Sequence, residues 1–156
     1  MTPPVWADTV PVGPSLLNRL SNALDVLDTN TQYAQATSEL TLNTSFQDVP
    51  GVAITVNHTG YYRIRGQFDM SYGNVGDDGW ELYGILWVST RDTQEIELPK
   101  AILKWIYPYR IVVRQTWAME LTENAVLKLQ ARRQGGSGGS SCRYEHTTLM
   151  ATLRGT

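Results

Sequence analysis

The sequence predicts an all-β fold, an antiparallel sandwich or barrel, preceded by an N-terminal arm and one short helix. About eight or nine segments after residue 40 have the composition of β-strands, and no helical pattern separates them. Turn residues recur between these segments at the spacing typical of all-β domains. Residues 61–70 alternate apolar and polar side chains, which is the period of a strand buried on one face.

The composition is that of a single domain with an appendage, and it excludes several functions. The 156 residues include 13 basic and 15 acidic side chains, a net charge of −2, so nucleic acid is not expected as a partner. No stretch has the roughly 18 consecutive apolar residues of a membrane span, and the N-terminus lacks the pattern of a secretory signal. Arginines far outnumber lysines, which favours protein–protein contact.

The chain begins with an arm, residues 1–13, whose prolines are incompatible with regular helix. Val5, Trp6 and Val10 make the arm apolar, so we expect it to be an anchor. Two interpretations stay open, since the arm could fold back on its own domain or dock through Trp6 on a neighbouring subunit.

The next segment, residues 14–30, is predicted to be a helix, with Pro14 at its first position. A stripe of leucines follows at steps of three, four and three residues: Leu17, Leu20, Leu24 and Leu27. A helix this short needs a partner for its apolar stripe. Packing on the chain's own sheet is one solution. A bundle of identical helices is the other, and we predict that the stripe is an oligomer interface.

The strands follow in order. Residues 31–45 are predicted to be a polar linker that runs into a first strand at 40–42, and residues 46–156 to form the sandwich. Its predicted strands are 52–57, 61–70, 80–89, 95–99, 101–108, 110–121, 125–133 and 145–154, with glycine-rich loops at 71–79 and 134–142.

Residues with catalytic chemistry are few, and the sequence predicts no enzyme, no cofactor and no metal. Asp77 and Asp78 lack the alternating spacing of a calcium loop, and Asp-Gly is common in turns. Cys142 and His146 would lie about 13 Å apart on an extended strand, too far for a nucleophile and its base. A cupin-like enzyme is disfavoured because the two histidines are not clustered.

Aromatic residues are the better candidates for surface recognition. Trp105, Tyr107 and Tyr109 alternate along one predicted strand face, where they would line a subunit interface or, as the lesser alternative, stack on a saccharide. Together with Asp77 and Asp78 they form our candidate recognition set.

Three segments of the β-region resemble trimeric jelly rolls of the tumour-necrosis-factor and complement globular-head type. They are residues 48–73 with a Val-Pro-Gly turn, residues 117–136 with two arginines before a glycine loop, and the terminal strand 147–155. The resemblance implies a homotrimeric jelly-roll β-sandwich whose last strand lies centrally in the inner sheet.

The front end, residues 3–24, is similar to the start of small virion proteins of tailed phages, in which a Trp-containing arm precedes a helix with a Leu-Asn-Arg core. This second resemblance implies a trimeric capsid decoration protein on the virion surface, assembled in the host cytoplasm. Its partner would be the major capsid protein or a tail protein of the same particle. The alternative is a tail-associated receptor-binding protein that recognises host glycans.

Overall fold

The computed structural model describes residues 16–19, 30–71, 81–90, 101–104, 110–134 and 139–156, with the backbone alone for residues 101–104. The chain divides into two compact units, Met1–Asn30 and Thr31–Thr156. In the first unit, residues 16–19 are helical, as predicted. Leu16 and Leu17 on this turn are 39% and 54% exposed.

The second unit contains nine strands in its described part. They are β1 (Thr31–Gln35), β2 (Leu40–Thr41), β3 (Gln47–Thr55), β4 (Gly60–Ser71), β5 (Glu81–Val88), β6 (Ala101–Lys104), β7 (Arg110–Leu121), β8 (Val126–Gln134) and β9 (Ser141–Gly155). No helix in the described part of the chain has the length and apolar character needed to cross a membrane.

The strands form two antiparallel sheets. The five-stranded sheet has the order β1-β9-β4-β7, with β2 also pairing on β9, and the four-stranded sheet has the order β3-β8-β5-β6. Every strand pair among the described residues is antiparallel. The predicted all-β sandwich is therefore confirmed. The last strand, β9, lies between β1 and β4, the central position that the jelly-roll resemblance implies.

The core lies between the two sheets and follows the predicted alternation. In β4, Tyr62, Ile64, Phe68 and Met70 are at most 2% exposed, and the inward side chains of β5, β7 and β8 meet them. Each such side chain stabilises the fold by about 1.5–3 kcal/mol when it is removed from water. Because the inward residues of β4 belong to the core, the residues between them must lie on the outer side of the five-stranded sheet.

Three elements differ from the sequence-based prediction. Strand β3 begins at Gln47, so the Val-Pro-Gly segment predicted to be a turn lies within the strand, at an irregularity in its pairing with β8. The structure places β1 in the segment predicted to be a linker, because Thr31–Gln35 pair with Thr152–Thr148 of β9. Strand β9 begins at Ser141, inside the predicted flexible loop 134–142, and Cys142 on it is fully buried. Predicted strand 95–99 lies outside the described residues.

Candidate self-association face

The outer side of the five-stranded sheet is named here the open face. One row of it runs across four strands, since Tyr33 pairs with Met150, Met150 with Arg65, and Arg65 with Thr116. Large apolar side chains on this side are poorly covered: Tyr33 is 60% exposed, Tyr61 47% and Val112 41%. Tyr144, where β9 departs from regular pairing, is 47% exposed. Exposed aromatic surface gathered on one sheet face is typical of a protein interface.

A buried carboxylate lies at one end of the open face. Asp69 of β4 has no solvent exposure, although its position in the alternation directs it outward. The guanidinium of Arg110 covers it, with Nε donating to Oδ1 at 2.8 Å and Nη2 to Oδ2 at 2.5 Å. The imidazole Nδ1 of His146 lies 3.1 Å from Asp69 Oδ2 and 3.2 Å from Arg110 Nη2. We name these three residues the Asp69 cluster.

An irregularity in β9 brings His146 over Asp69. The pairing of β4 with β9 shifts between Gln67 and Asp69, so that extra residues of β9 oppose one residue of β4. Thr147, fully buried, holds this bulge: its hydroxyl accepts from the Asp69 amide at 3.0 Å and donates to the Arg143 carbonyl at 2.5 Å. The bulge therefore re-aims side chains on a strand that would otherwise alternate regularly.

A second ion pair extends the Asp69 cluster. Both guanidinium Nε and Nη2 of Arg143 donate to Glu145, at 3.2 and 2.7 Å, and Arg110 Nη2 lies 3.7 Å from the same carboxylate. Hydrogen bonds from Arg143 lower the pKa of Glu145 to about 2. Positive and negative side chains here neutralise each other, so this end of the open face is not a free anion site.

The Asp69 carboxyl stays ionised because its contacts outweigh its burial. Burial alone would raise its pKa, but hydrogen bonds with Arg110 and His146, and the charge of Arg110, hold the pKa below the ordinary value of 3.8. The same contact raises the pKa of Arg110. The Asp69 cluster is thus a charged, oriented group that ties β4, β7 and β9 together.

A groove of about 490 Å³ crosses the middle of the open face. It is lined by Arg63, Arg65, Gly66, Gln67, Arg114, Gln115, Thr116, Thr148 and Met150. The lining includes three guanidinium groups and no carboxylate. We name it the arginine groove.

The outer side of the four-stranded sheet is different, because its two described cations on β8, Lys128 and Arg132, have partners in the same chain. The Arg132 guanidinium lies between the rings of Phe46 and Tyr83, at 5.0 and 4.4 Å from their centroids. The ammonium nitrogen Nζ of Lys128 lies 2.6 Å from Asp48 Oδ2 and 5.2 Å from the centre of the Trp87 ring. The open face is therefore the surface that offers unsatisfied side chains to a partner.

Most of the residues predicted to form sites lie outside the described residues. This holds for the arm residues Val5, Trp6 and Val10, the stripe residues Leu20, Leu24 and Leu27, and the recognition candidates Asp77, Asp78, Trp105, Tyr107 and Tyr109. Leu17 lies within the described residues, and its side chain is exposed. These assignments stay predictions.

The Cys142–His146 pair proves to be two separate groups. Cys142 Sγ is buried and lies 3.4 Å from the Thr147 hydroxyl, and burial raises the pKa of its thiol to about 11. His146 contacts Asp69 and Arg110 instead. Sequence analysis missed the Asp69 cluster, whose one available signal was an aspartate on the polar side of strand 61–70.

Comparison with known proteins identifies the class of fold. The structure of Eiger TNF from S. frugiperda matches with a TM-score of 0.57 and 14% identity, over 80% of this chain and 91% of that chain. Murine APRIL matches with a TM-score of 0.55 and 11% identity, over 80% of this chain and 98% of that chain. No protein-family model and no curated protein match the sequence. The chain thus has a tumour-necrosis-factor-like jelly-roll fold.

These comparisons correct the predicted function. The prediction of a phage capsid decoration protein, with a tail-associated glycan-binding protein as its alternative, is wrong, because the solved structures named above are of the tumour-necrosis-factor type and not phage structural proteins. The phage resemblance depended on residues 3–24, of which the structure describes residues 16–19 alone. The predicted capsid and tail partners are likewise unsupported.

Proposed function

We propose that this protein is a homotrimeric, non-catalytic binding module in which identical copies associate through the open face. The exposure of Tyr33, Tyr61 and Val112 on one side of a continuous sheet carries the proposal. Side chains of this size gain about 25 cal/mol per Å² when a partner removes them from water. A second copy is the partner that is always available at the same concentration.

The number three rests on the tumour-necrosis-factor-like fold, since the jelly rolls that the sequence resembles are trimeric. A closed ring of three copies requires that the open face of one copy meets a different surface of the next. The leucine stripe at Leu17, Leu20, Leu24 and Leu27 would add a second contact between copies. The assembled head would then present loops and edges to a partner protein, as a ligand of this fold class would.

The absence of catalysis is part of the proposal, and the chemistry of the described groups supports it. A thiol whose pKa is about 11 is almost entirely protonated near neutral pH and is a poor nucleophile. The Asp69 carboxylate is fully buried and occupied by Arg110, so it is not available as a general base.

Sedimentation velocity over a range of concentrations tests the proposal. Three chains of 17.5 kDa give a particle of about 52 kDa, whereas a well-folded 17.5 kDa particle at every concentration would overturn the proposal. Tyr33→Glu and Val112→Glu place a charge in the open face and should dissociate the particle. Ala53→Glu, an equal change at an exposed position of β3 in the other sheet, should leave the mass unchanged.

A further inference from the structure

We propose that the arginine groove receives Glu120 and Glu123 of a second copy, which approaches with the end of its strand β7. The inference rests on the proposed self-association and names the contact that would hold the copies together. It follows from the groove's chemistry, from the engagement of the other carboxylates, and from the position of these two glutamates.

The lining of the arginine groove provides guanidinium donors and no carboxylate to accept from them. Arg63 and Arg65 project from the same side of β4 and have no hydrogen bond or ion pair within the part of the chain that the structure describes. Arg114 Nε donates to Gln67 Oε1 at 2.6 Å, and Gln67 Nε2 donates to the His146 carbonyl at 2.6 Å. Arg114 is thereby held in place while its terminal nitrogens stay available. Three cations around one groove, one of them held in place, favour a carboxylate as occupant.

A neutral neighbour would make this face unfavourable to bury. If a partner without an acceptor covers the arginines, their charges are removed from water and no hydrogen bond or ion pair compensates for the lost hydration. The open face carries six arginines (Arg63, Arg65, Arg110, Arg114, Arg143, Arg154) and three carboxylates (Asp69, Glu120, Glu145), a net charge of about +3. Since the whole chain has −2, the rest of it has about −5 and can supply the acidic partner.

Most described carboxylates are already engaged in their own chain. Asp48 binds Lys128, Asp69 binds Arg110, and Glu145 binds Arg143. Glu81 accepts from the Tyr83 hydroxyl, and the charge of Glu39 contributes to the raised pKa of Arg143. Glu39, Glu120 and Glu123 have no side-chain hydrogen bond or ion pair within the part of the chain that the structure describes, and Glu39 acts on Arg143 through its charge alone.

The two glutamates lie where a neighbour could meet them. Among the strands that the structure describes, β7 is the end strand of the five-stranded sheet and pairs on one side, with β4. Glu120 is exposed near the end of that strand, and Glu123 follows in the turn to β8. The amide of Glu123 donates to the Thr59 hydroxyl at 2.9 Å, which fixes the turn. Glu120 lies at the β7 margin of the open face and the arginine groove crosses its middle, so this contact joins two different patches, as a ring of three copies requires.

Charge exchange tests the contact in the full-length protein. Neutral variants Arg63→Gln/Arg65→Gln and Glu120→Gln/Glu123→Gln should each weaken association at least about tenfold, and wild-type association should weaken as NaCl is raised. Arg63→Glu/Arg65→Glu and Glu120→Arg/Glu123→Arg should each dissociate the particle, and the variant with all four changes should reassemble. Glu39→Gln, one charge removed in the turn between β1 and β2, is the matched control and should associate like wild type.

The outcomes separate the inference from the proposed function. A wild-type monomer at every concentration overturns both. If the trimer forms equally well at high salt and with the Arg63 and Arg65 substitutions, the inference alone is overturned. The same holds if the variant with all four substitutions stays monomeric while its circular dichroism and melting temperature match wild type. If inorganic phosphate binds the wild-type trimer in calorimetry and the Arg63→Gln/Arg65→Gln trimer persists without binding it, the groove is an anion site and the glutamate assignment is wrong.

Discussion

At the scale of single residues, the clearest feature is a carboxylate that alternation directs to solvent and that is nevertheless fully buried. Asp69 accepts two hydrogen bonds from Arg110, whose side chain is 41% exposed, so the ion pair is half covered and half open to water. Its strength is therefore less than that of a wholly buried pair and more than that of a surface pair. This places Asp69 among the residues whose protonation matters to the fold.

We predict that Asp69→Asn lowers the free energy of unfolding at neutral pH by about 2 kcal/mol. The folded-state pKa of Asp69 lies below its ordinary value of 3.8, so its contribution is present above that pH and is lost as pH falls through the folded-state pKa. Urea denaturation at a series of pH values measures both effects. The difference between wild type and variant should narrow below about pH 4. A difference that stays constant with pH would show that Asp69 stabilises by packing rather than by charge.

Two glycines illustrate how closely the core is filled. A methyl group added at Gly84 would lie 2.6 Å from the Phe68 ring, whereas one added at Gly155 would meet nothing within 4 Å. We predict that Gly84→Ala destabilises the protein by about 1–3 kcal/mol, because a buried ring has no free space into which to move. Gly155→Ala is the matched control and should be nearly neutral. Thermal melting of both variants checks the contrast, and equal melting temperatures would contradict it.

At the scale of elements, the bulge of β9 depends on one hydroxyl. Thr147→Val keeps the shape of the side chain but removes the acceptor for the Asp69 amide and the donor to the Arg143 carbonyl. The buried amide and carbonyl then lack a partner, so we predict a loss of about 1–3 kcal/mol in the free energy of unfolding. Thr148→Val, at the next position and partly exposed, should change it by less than about 0.5 kcal/mol. Chemical denaturation measures both, and a comparable loss in the two variants would show that the hydroxyl of Thr147 has no special role.

Strands were predictable where local pattern and tertiary role agree. Strand β7 spans Arg110–Leu121, the range that its alternation predicts, because Pro108 and the turn at 122–124 bound it on both sides. Strand β1 is polar and carries no such signal. It is a strand because β9 offers it a hydrogen-bonding edge, and pairing with a distant segment overrides local propensity.

The candidate site was predictable only in part, because pairing between distant segments also decides which of its residues meet. Alternation places Arg63, Arg65, Gln67 and Asp69 on one side of their strand, and the structure confirms this. Which residues meet them depends on register across β4, β7 and β9 and on a bulge, and no local pattern encodes those. Sequence analysis could therefore identify the polar side of β4 but not the Asp69 cluster or the arginine groove.

At the scale of the whole molecule, the division into Met1–Asn30 and Thr31–Thr156 separates two contributions to assembly. The second unit contains both sheets and the core between them, and it therefore has what a domain needs to fold alone. The first unit supplies the predicted leucine stripe. In the proposed trimer the open face and the stripe are linked contacts. Once one of them has formed, the groups that make the other are held together at a higher effective concentration.

We predict that a chain consisting of residues 31–156 folds with the β-sheet circular dichroism and cooperative unfolding of the full protein but associates more weakly. The sandwich keeps its core, so its structure should persist, whereas loss of the leucine stripe removes one of the two contacts between copies. Sedimentation of the two chains at matched concentrations gives the comparison, and full-length protein with Leu17, Leu20, Leu24 and Leu27 changed to Gln is the control that keeps the chain length. Equal association of all three would assign assembly to the open face alone. A fragment that fails to fold would show instead that the first unit completes the core of the second, so that the leucines pack on their own sandwich and not on neighbouring copies.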